Sequence, residues 1–186
     1  MKVYFTSDNH YFHDNIIKYC NRPFVSSGDM NAEMASRWNS VVEPGDVGIF
    51  VGDVSAGLKK RQSELRDIIS GLNGTKILIR GNHDHQTNEW YIESGFLKVF
   101  DFINLGQVMI RHYPIPESPS GTICNSDLGN YAHVIHGPVH TNVPNFERHF
   151  NVAADRHDFY PVTYQQAMPI EFHDNFLSEL KTLLTT

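Results

Sequence analysis

Cysteine is nearly absent from this chain: Cys20 and Cys124 are the only two, far apart in 186 residues. A disulfide-built scaffold is excluded, and two free thiols in a reducing compartment are the expectation. Long apolar runs are missing too. None approaches the roughly 18 residues of a membrane span, and the opening stretch Met1–Phe5 turns polar at Thr6, too soon for a signal peptide. A cytoplasmic protein without membrane contact is expected. Basic runs are also lacking: Lys59-Lys60-Arg61 is the densest, it reads as a solvated helix face, and the formal net charge is -6. Extended contact with nucleic acid, which needs basic surface, is therefore disfavoured. Neither an internal repeat nor a linker is visible.

What is present suffices for a core. Hydrophobic residues make up 40% and aromatics 12% of the chain, as in a folded domain. A single domain over residues 1–186 is the economical reading. Eleven histidines stand out; they are scattered and recur beside Asp, Asn and Gly, just after apolar runs.

Those runs read as strands at 2–6, 46–51, 76–79, 107–110 and 131–135, with edge strands at 149–153 and 161–164. Helices are expected over 29–40, with Asp29 as N-cap, over 59–71 with Leu58, Leu65, Ile68 and Ile69 facing in, and over 172–184. Residues 114–130, rich in Pro, Ser, Gly and Asn, read as a long loop. Alternating strands and helices indicate one mixed α/β domain.

Five of the strand-like runs stop at side chains that bind metals: Asp8-Asn9-His10, Gly52-Asp53, Gly81-Asn82-His83-Asp84, His112, and His136 to His140. In open α/β sheets, ligands bind beyond the carboxyl ends of strands, where residues distant in sequence meet. The i, i+2 spacing of Asp8 and His10 puts both on one side of an extended backbone. Glycine before Asp53 and Asn82 permits sharp turns and close approach. Imidazole, carboxylate and amide oxygen without thiolate suit one or two divalent ions, Mn, Fe, Zn or Ni, rather than a structural zinc. Each piece alone has a plainer reading as a turn or a helix cap. Five in order, each at a strand end, are poorly explained by chance.

The order Asp-x-His, Gly-Asp, Gly-Asn-His-Asp, strand-terminal His and late Gly-x-x-His resembles the calcineurin-like metallophosphoesterases. The opening Ser7-Asp8-Asn9-His10-Tyr11-Phe12-His13-Asp14-Asn15-Ile16-Ile17 is similar to a small single-domain branch of bacteria and phages. Tyr19-Cys20-Asn21-Arg22-Pro23-Phe24, Asn151-Val152 and Asp158-Phe159-Tyr160-Pro161-Val162 fit that branch as well. The likeness covers residues 3 to about 165.

The resemblance implies an α/β (α+β) fold, a four-layer αββα sandwich of mixed sheets flanked by helices, with a dinuclear site on its rim. By position, it implies Asp8, His10 and His140 as ligands of a first metal, Asp53 as a bridge, and Asn82 and His112 as ligands of a second. It implies His83 beside the phosphate as a catalytic residue. Asp84 would orient that imidazole or act as a cap. Arg22 and His13, with Asn82, are candidates for substrate contact; a salt bridge is the competing reading of Arg22. The implied chemistry is hydrolysis of a small phosphate ester, a phosphodiester or nucleotide, by metal-activated water. In an acidic protein, metal ions supply locally the positive charge a phosphate needs.

One block departs from the pattern. The family writes Gly-His-x-His, whereas this chain has Gly137-Pro138-Val139-His140. Pro138 carries no ligating side chain. Three outcomes stay open: a weakened second site, substitution by His136, or a single tightly held ion. A catalytically weak metal-binding domain acting through a partner, and a nuclease, are the competing functions.

Overall fold

The computed structural model describes residues 1–56, 61–115, 131–138 and 148–186. Its element order is β1 (Val3–Thr6), α1 (Asp14–Tyr19), α2 (Ser27–Val41), β2 (Val47–Val51), α3 (Gln62–Gly71), β3 (Thr75–Ile79), α4 (Asn88–Glu93), β4 (Phe96–Phe100), β5 (Phe102–Leu105), β6 (Val108–Arg111), β7 (His133–His136), β8 (His149–Asn151), β9 (Val162–Thr163), α5 (Tyr164–Ala167) and α6 (His173–Thr185).

The strands form two mixed sheets, ordered β4-β3-β2-β1-β9 and β5-β6-β7-β8. In the first, β1 to β4 run parallel and β9 closes the edge antiparallel. In the second, β6, β7 and β8 run parallel and β5 is antiparallel to β6.

Side-chain alternation decides which face each strand offers. Val3, Phe5, Val47, Ile49, Val51, Ile77 and Ile79 turn toward the second sheet, where they meet Ile103, Leu105, Val108, Ile110 and Ile135. Helix α6 adds Phe176 and Leu180 to this core. The intervening positions Tyr4, Phe50 and Leu78 face the other way, onto Met30, Met34 and Trp38 of α2, Leu65 and Ile69 of α3 and Tyr91 of α4. Each such fully buried side chain contributes on the order of 2 kcal/mol. The result is the expected α/β sandwich of two mixed sheets flanked by helices.

One local expectation differs. Helix α2 begins earlier than expected: Ser26, not Asp29, is its N-cap, and the Ser26 hydroxyl accepts the Asp29 N–H at 3.1 Å. Helix α3 does face Leu65 and Ile69 inward, but Leu58 lies outside the described residues. So does almost all of the loop expected at 114–130.

Candidate metal centre

All five motif-bearing runs are strands: β1, β2 and β3 of one sheet and β6 and β7 of the other, with four motifs just past their strand ends and His136 the last residue of β7. The two sheets are stitched together there. Ser7 N–H donates to the Val152 carbonyl and Ala154 N–H to that of Ser7, both at 3.0 Å, while Val152 N–H donates to His136 O at 2.9 Å. Gly137 N–H reaches the His112 carbonyl at 2.9 Å. The rim is therefore shared by both sheets, and residues as distant in sequence as Ser7 and Val152 meet there.

Asp8 and His10 do not converge through extended backbone, as their spacing suggested. Both are left-handed, with φ of 55° and 52°, and Asp53 matches them at 55°. This conformation is uncommon for residues with a Cβ and costs on the order of 1 kcal/mol each. A backbone ladder between the two post-strand loops offsets it: Asp8 N–H to Gly52 O at 3.0 Å, His10 N–H to Asp53 O at 3.0 Å, and Tyr11 N–H to Val54 O at 2.9 Å. The left-handed turn at each residue swings the side chains to one point.

There Asp8, His10 and Asp53, all buried, bring donor atoms within 4.8 Å of one another. His10 Nε2 is 3.9 Å from Asp8 Oδ1 and 3.7 Å from Asp53 Oδ2. On the opposite side, His112 Nε2 is 3.5 Å from the same Asp53 Oδ2 and 3.1 Å from Asn82 Oδ1. Asp53 Oδ1 accepts the His83 N–H at 2.8 Å. The structure thus brings Asp8, His10, Asp53, Asn82 and His112 together. His140 lies outside the described residues.

Close packing enforces the arrangement. Gly52 has φ of 90°, and a Cβ on it would collide with the His112 ring; a Cβ on Gly81 would collide with the Asp53 carboxylate. His112 Nδ1 lies 2.8 Å from the Val51 carbonyl. It must donate there, so Nε2 faces Asp53 and Asn82, as an acceptor in the neutral imidazole and as a donor to the Asp53 carboxylate in the protonated one. Burial works to depress the His112 imidazole, but the Asp53 carboxylate, aided by Asp8, holds its pKa above the usual value. Burial likewise opposes ionisation of Asp53, yet the His112 imidazole and His83 amide keep its carboxyl below the ordinary range. Oxygen and nitrogen acceptors facing one another at these distances are the surroundings a cation requires.

At three residues the structure favours one of the readings the sequence left open. Arg22 is buried and its fork grips Asp155, with Nε and Nη2 each 2.7 Å from a carboxylate oxygen. Its remaining N–H groups donate to the carbonyls of Asp8 at 2.7 Å and Asn9 at 2.9 Å. The guanidinium therefore fastens the first loop from beneath instead of meeting a phosphate. Asp84 does not orient the His83 imidazole. Its carboxylate accepts N–H groups from Gly81 and Asp53, both at 2.8 Å, and from Val54 at 3.1 Å, with the Tyr91 hydroxyl at 3.3 Å. Burial pushes Asp84 up to about 6, the amides pulling it back. It braces the second and third loops against each other. His136 faces His149, with ring centroids 5.4 Å apart, and is not in the cluster.

His83 is exposed on the rim, its ring 5.2 Å from that of His10. His13 sits beside both, 5.5 Å from His10 and 6.5 Å from His83, and His85 approaches His83 to 6.3 Å. One neighbour escaped the sequence reading: the Tyr113 hydroxyl donates to Asn82 Oδ1 at 2.6 Å. Its only signal was its place directly after the strand-terminal histidine.

Among the described residues, no helix is long and apolar enough to cross a membrane. An uncharacterized protein of Methanocaldococcus jannaschii is 45% identical over 83 residues, 45% of this chain and 47% of that one. The Gene 66 protein of Mycobacterium phage L5 is 37% identical over 82 residues, 44% of this chain and 39% of its own length. The chain thus matches under half the length of these curated relatives. Two solved structures share the fold. A protein of unknown function from Aquifex aeolicus has a TM-score of 0.66 and 24% identity over 87% of this chain and 95% of its own. The Pseudomonas putida nuclease MPE has a TM-score of 0.50 and 20% identity over 74% of this chain and 61% of its own. The family model for calcineurin-like phosphoesterases matches residues 1–179, and by that match the chain belongs to the calcineurin-like phosphoesterase family.

Proposed function

We propose that the protein is a metal-dependent phosphoesterase acting on a phosphodiester or small nucleotide. Asp8, His10 and Asp53 would hold one divalent cation, with His140 as a further ligand, and Asp53, Asn82 and His112 a second. The observation that carries this reading is Asp53 Oδ2, which stands 3.7 Å from His10 Nε2 and 3.5 Å from His112 Nε2. One carboxylate oxygen between two imidazole nitrogens has the placement of a bridge.

The donor set fits such ions. It consists of carboxylate, imidazole and amide oxygen, the mixture that suits Mn, Fe, Zn or Ni. Pro138 leaves the second position with fewer protein ligands, so the first is the tighter of the two. When bound, divalent cations supply Lewis acidity and acidify water to near-neutral pKa.

The chain's own residues do the remaining work. Asp53 couples both positions and, through Oδ1, holds the His83 backbone in place. The His83 side chain projects at the solvent edge of the cluster, placed to hand a proton to the leaving oxygen or to stabilise charge on the phosphoryl group. His13 lies close enough to meet the same substrate. Asp84 and Arg22 hold the loops that carry these groups.

A second reading, a catalytically weak metal-binding domain acting through a partner, is favoured by Pro138 alone. The test compares hydrolysis of a chromogenic phosphodiester and a phosphomonoester with Mn, Ni, Zn and no metal. Metal-dependent turnover, higher on the diester, is expected. Folded protein inert with every metal would overturn the enzyme reading and favour the second.

A further inference from the structure

Tyr113 belongs to none of the strand-end motifs, yet it touches one of the proposed ligands. Its hydroxyl donates to Asn82 Oδ1 at 2.6 Å, and the same oxygen lies 3.1 Å from His112 Nε2. The Tyr113 ring packs edge-on against His112, centroids 4.9 Å apart. The geometry points to Tyr113 as a positioning residue that fixes which end of the Asn82 amide faces Asp53 and His112; this rests on the reading of that site as a cation site.

Asn82 needs such a partner. It is exposed at the rim. Its terminal torsion is broad and roughly two-fold, and the oxygen and NH2 ends of the amide are nearly equal in size. Only the oxygen end can ligate a cation. Turned around, the NH2 group would donate to Nε2 of the neutral His112 imidazole, the form a metal ligand must take, whose Nδ1 is committed to the Val51 carbonyl. That contact would satisfy the imidazole and close the site against metal. The orientation of one amide therefore decides between a self-satisfied pair and an open one.

Tyr113 biases this choice toward the open state. A separation of 2.6 Å is an O–H···O length, below the roughly 2.7–3.2 Å of N–H···O bonds. A carbonyl oxygen has two lone pairs, so Oδ1 accepts the hydroxyl and keeps one for a cation. Tyr113 is 48% exposed, but its backbone is restrained: Pro114 follows it and disfavours the helical region for the preceding residue. With Pro138 in place of a ligand, the second position depends more on Asn82, and hence on Tyr113.

An ordinary surface hydrogen bond would affect stability alone, so metal affinity is the discriminating readout. Mn2+ is titrated into chelator-treated wild-type protein, Tyr113→Phe, Asn82→Asp and the double variant, with thermal unfolding recorded for each. Tyr113→Phe is expected to weaken the weaker class of Mn2+ binding about tenfold, as loss of an orienting partner does, without lowering the unfolding temperature. On the Asn82→Asp background the same change should cost less than about twofold, because a carboxylate has two equivalent oxygens and needs no orienting. Equal Mn2+ affinity in wild type and Tyr113→Phe, or the same loss on both backgrounds, would overturn the role of Tyr113. Wild-type protein that binds no Mn2+ would instead overturn the reading of the site itself.

Discussion

Asp8, His10 and Asp53 share an unfavourable backbone conformation, with φ between 52° and 55°, and they are the three residues whose donor atoms cluster. Strain of that kind persists only where surrounding bonds over-determine it. Here the ladder from Asp8, His10 and Tyr11 to the Gly52–Val54 carbonyls does so. His83 differs from them: it is exposed, and only its backbone N–H is tied to the cluster, through Asp53. Its side chain is thus separable from metal binding. His83→Ala is expected to lower turnover about 100-fold or more while metal content, measured by elemental analysis, stays at the wild-type level. Wild-type turnover in that variant would remove His83 from the chemistry. At this scale the sequence was informative about identity and misleading about geometry. Asp8-x-His10 named a pair that does converge, but a spacing rule for extended chain could not foresee left-handed turns. Arg22 looked like a phosphate fork because its partner, Asp155, lies 133 positions away and no spacing links them.

Four strand ends, those of β1, β2, β3 and β6, bring the described site residues together, and the bonds between their loops keep them assembled. Asp84 joins the loops after β2 and β3 through three backbone amides, and Arg22 joins the first loop to the 3-10 turn Ala154–Arg156. Arg22 is 4% exposed and its ion pair with Asp155 is inside the protein. Removing one partner of such a pair leaves an uncompensated buried charge. Arg22→Ala is therefore expected to destabilise the fold by about 3–5 kcal/mol in urea unfolding, and Arg22→Lys, which cannot form the fork, should recover little of it. A loss below about 1 kcal/mol, the scale of an exposed pair, would contradict this account of Arg22. The strands that end in motifs were readable because an apolar run followed by Asp, Asn or His is a distinctive pattern. β4 and β5 end in no such cluster and are joined by Asp101 alone, so a reading guided by strand-end motifs passes over them. Helices α1 and α4 span only 6 residues each, too few for a helical period to show.

The whole molecule is a sandwich whose two sheets meet at a common rim, so its acid stability and its site are properties of the same packing. In the second sheet His136 is 1% exposed and packs against His149. Burial, with His149 nearby, pushes the His136 imidazole down to about 4 from its ordinary 6.5. The folded protein therefore holds it neutral, while the unfolded chain takes up a proton below pH 6.5. Stability from this group is complete above pH 6.5 and falls as pH drops toward 4, by about 3 kcal/mol in all. Urea midpoints should decline over that window, and His136→Gln should flatten the decline; an unchanged slope in the variant would assign the acid sensitivity elsewhere. The α/β class followed from the alternation of apolar runs with helical patterns, but how the two sheets share one rim depended on contacts such as Ser7 to Val152, which no local pattern encodes. The central proposal is that the Asp53 carboxylate would serve both cation positions. Anomalous diffraction from a crystal soaked in Mn2+ tests it most directly. Density is predicted against the Asp53 carboxylate, with one peak on the His10 side and a weaker one on the side of His112 and Asn82. Ordered Mn2+ elsewhere on the protein, with none against Asp53, would contradict it.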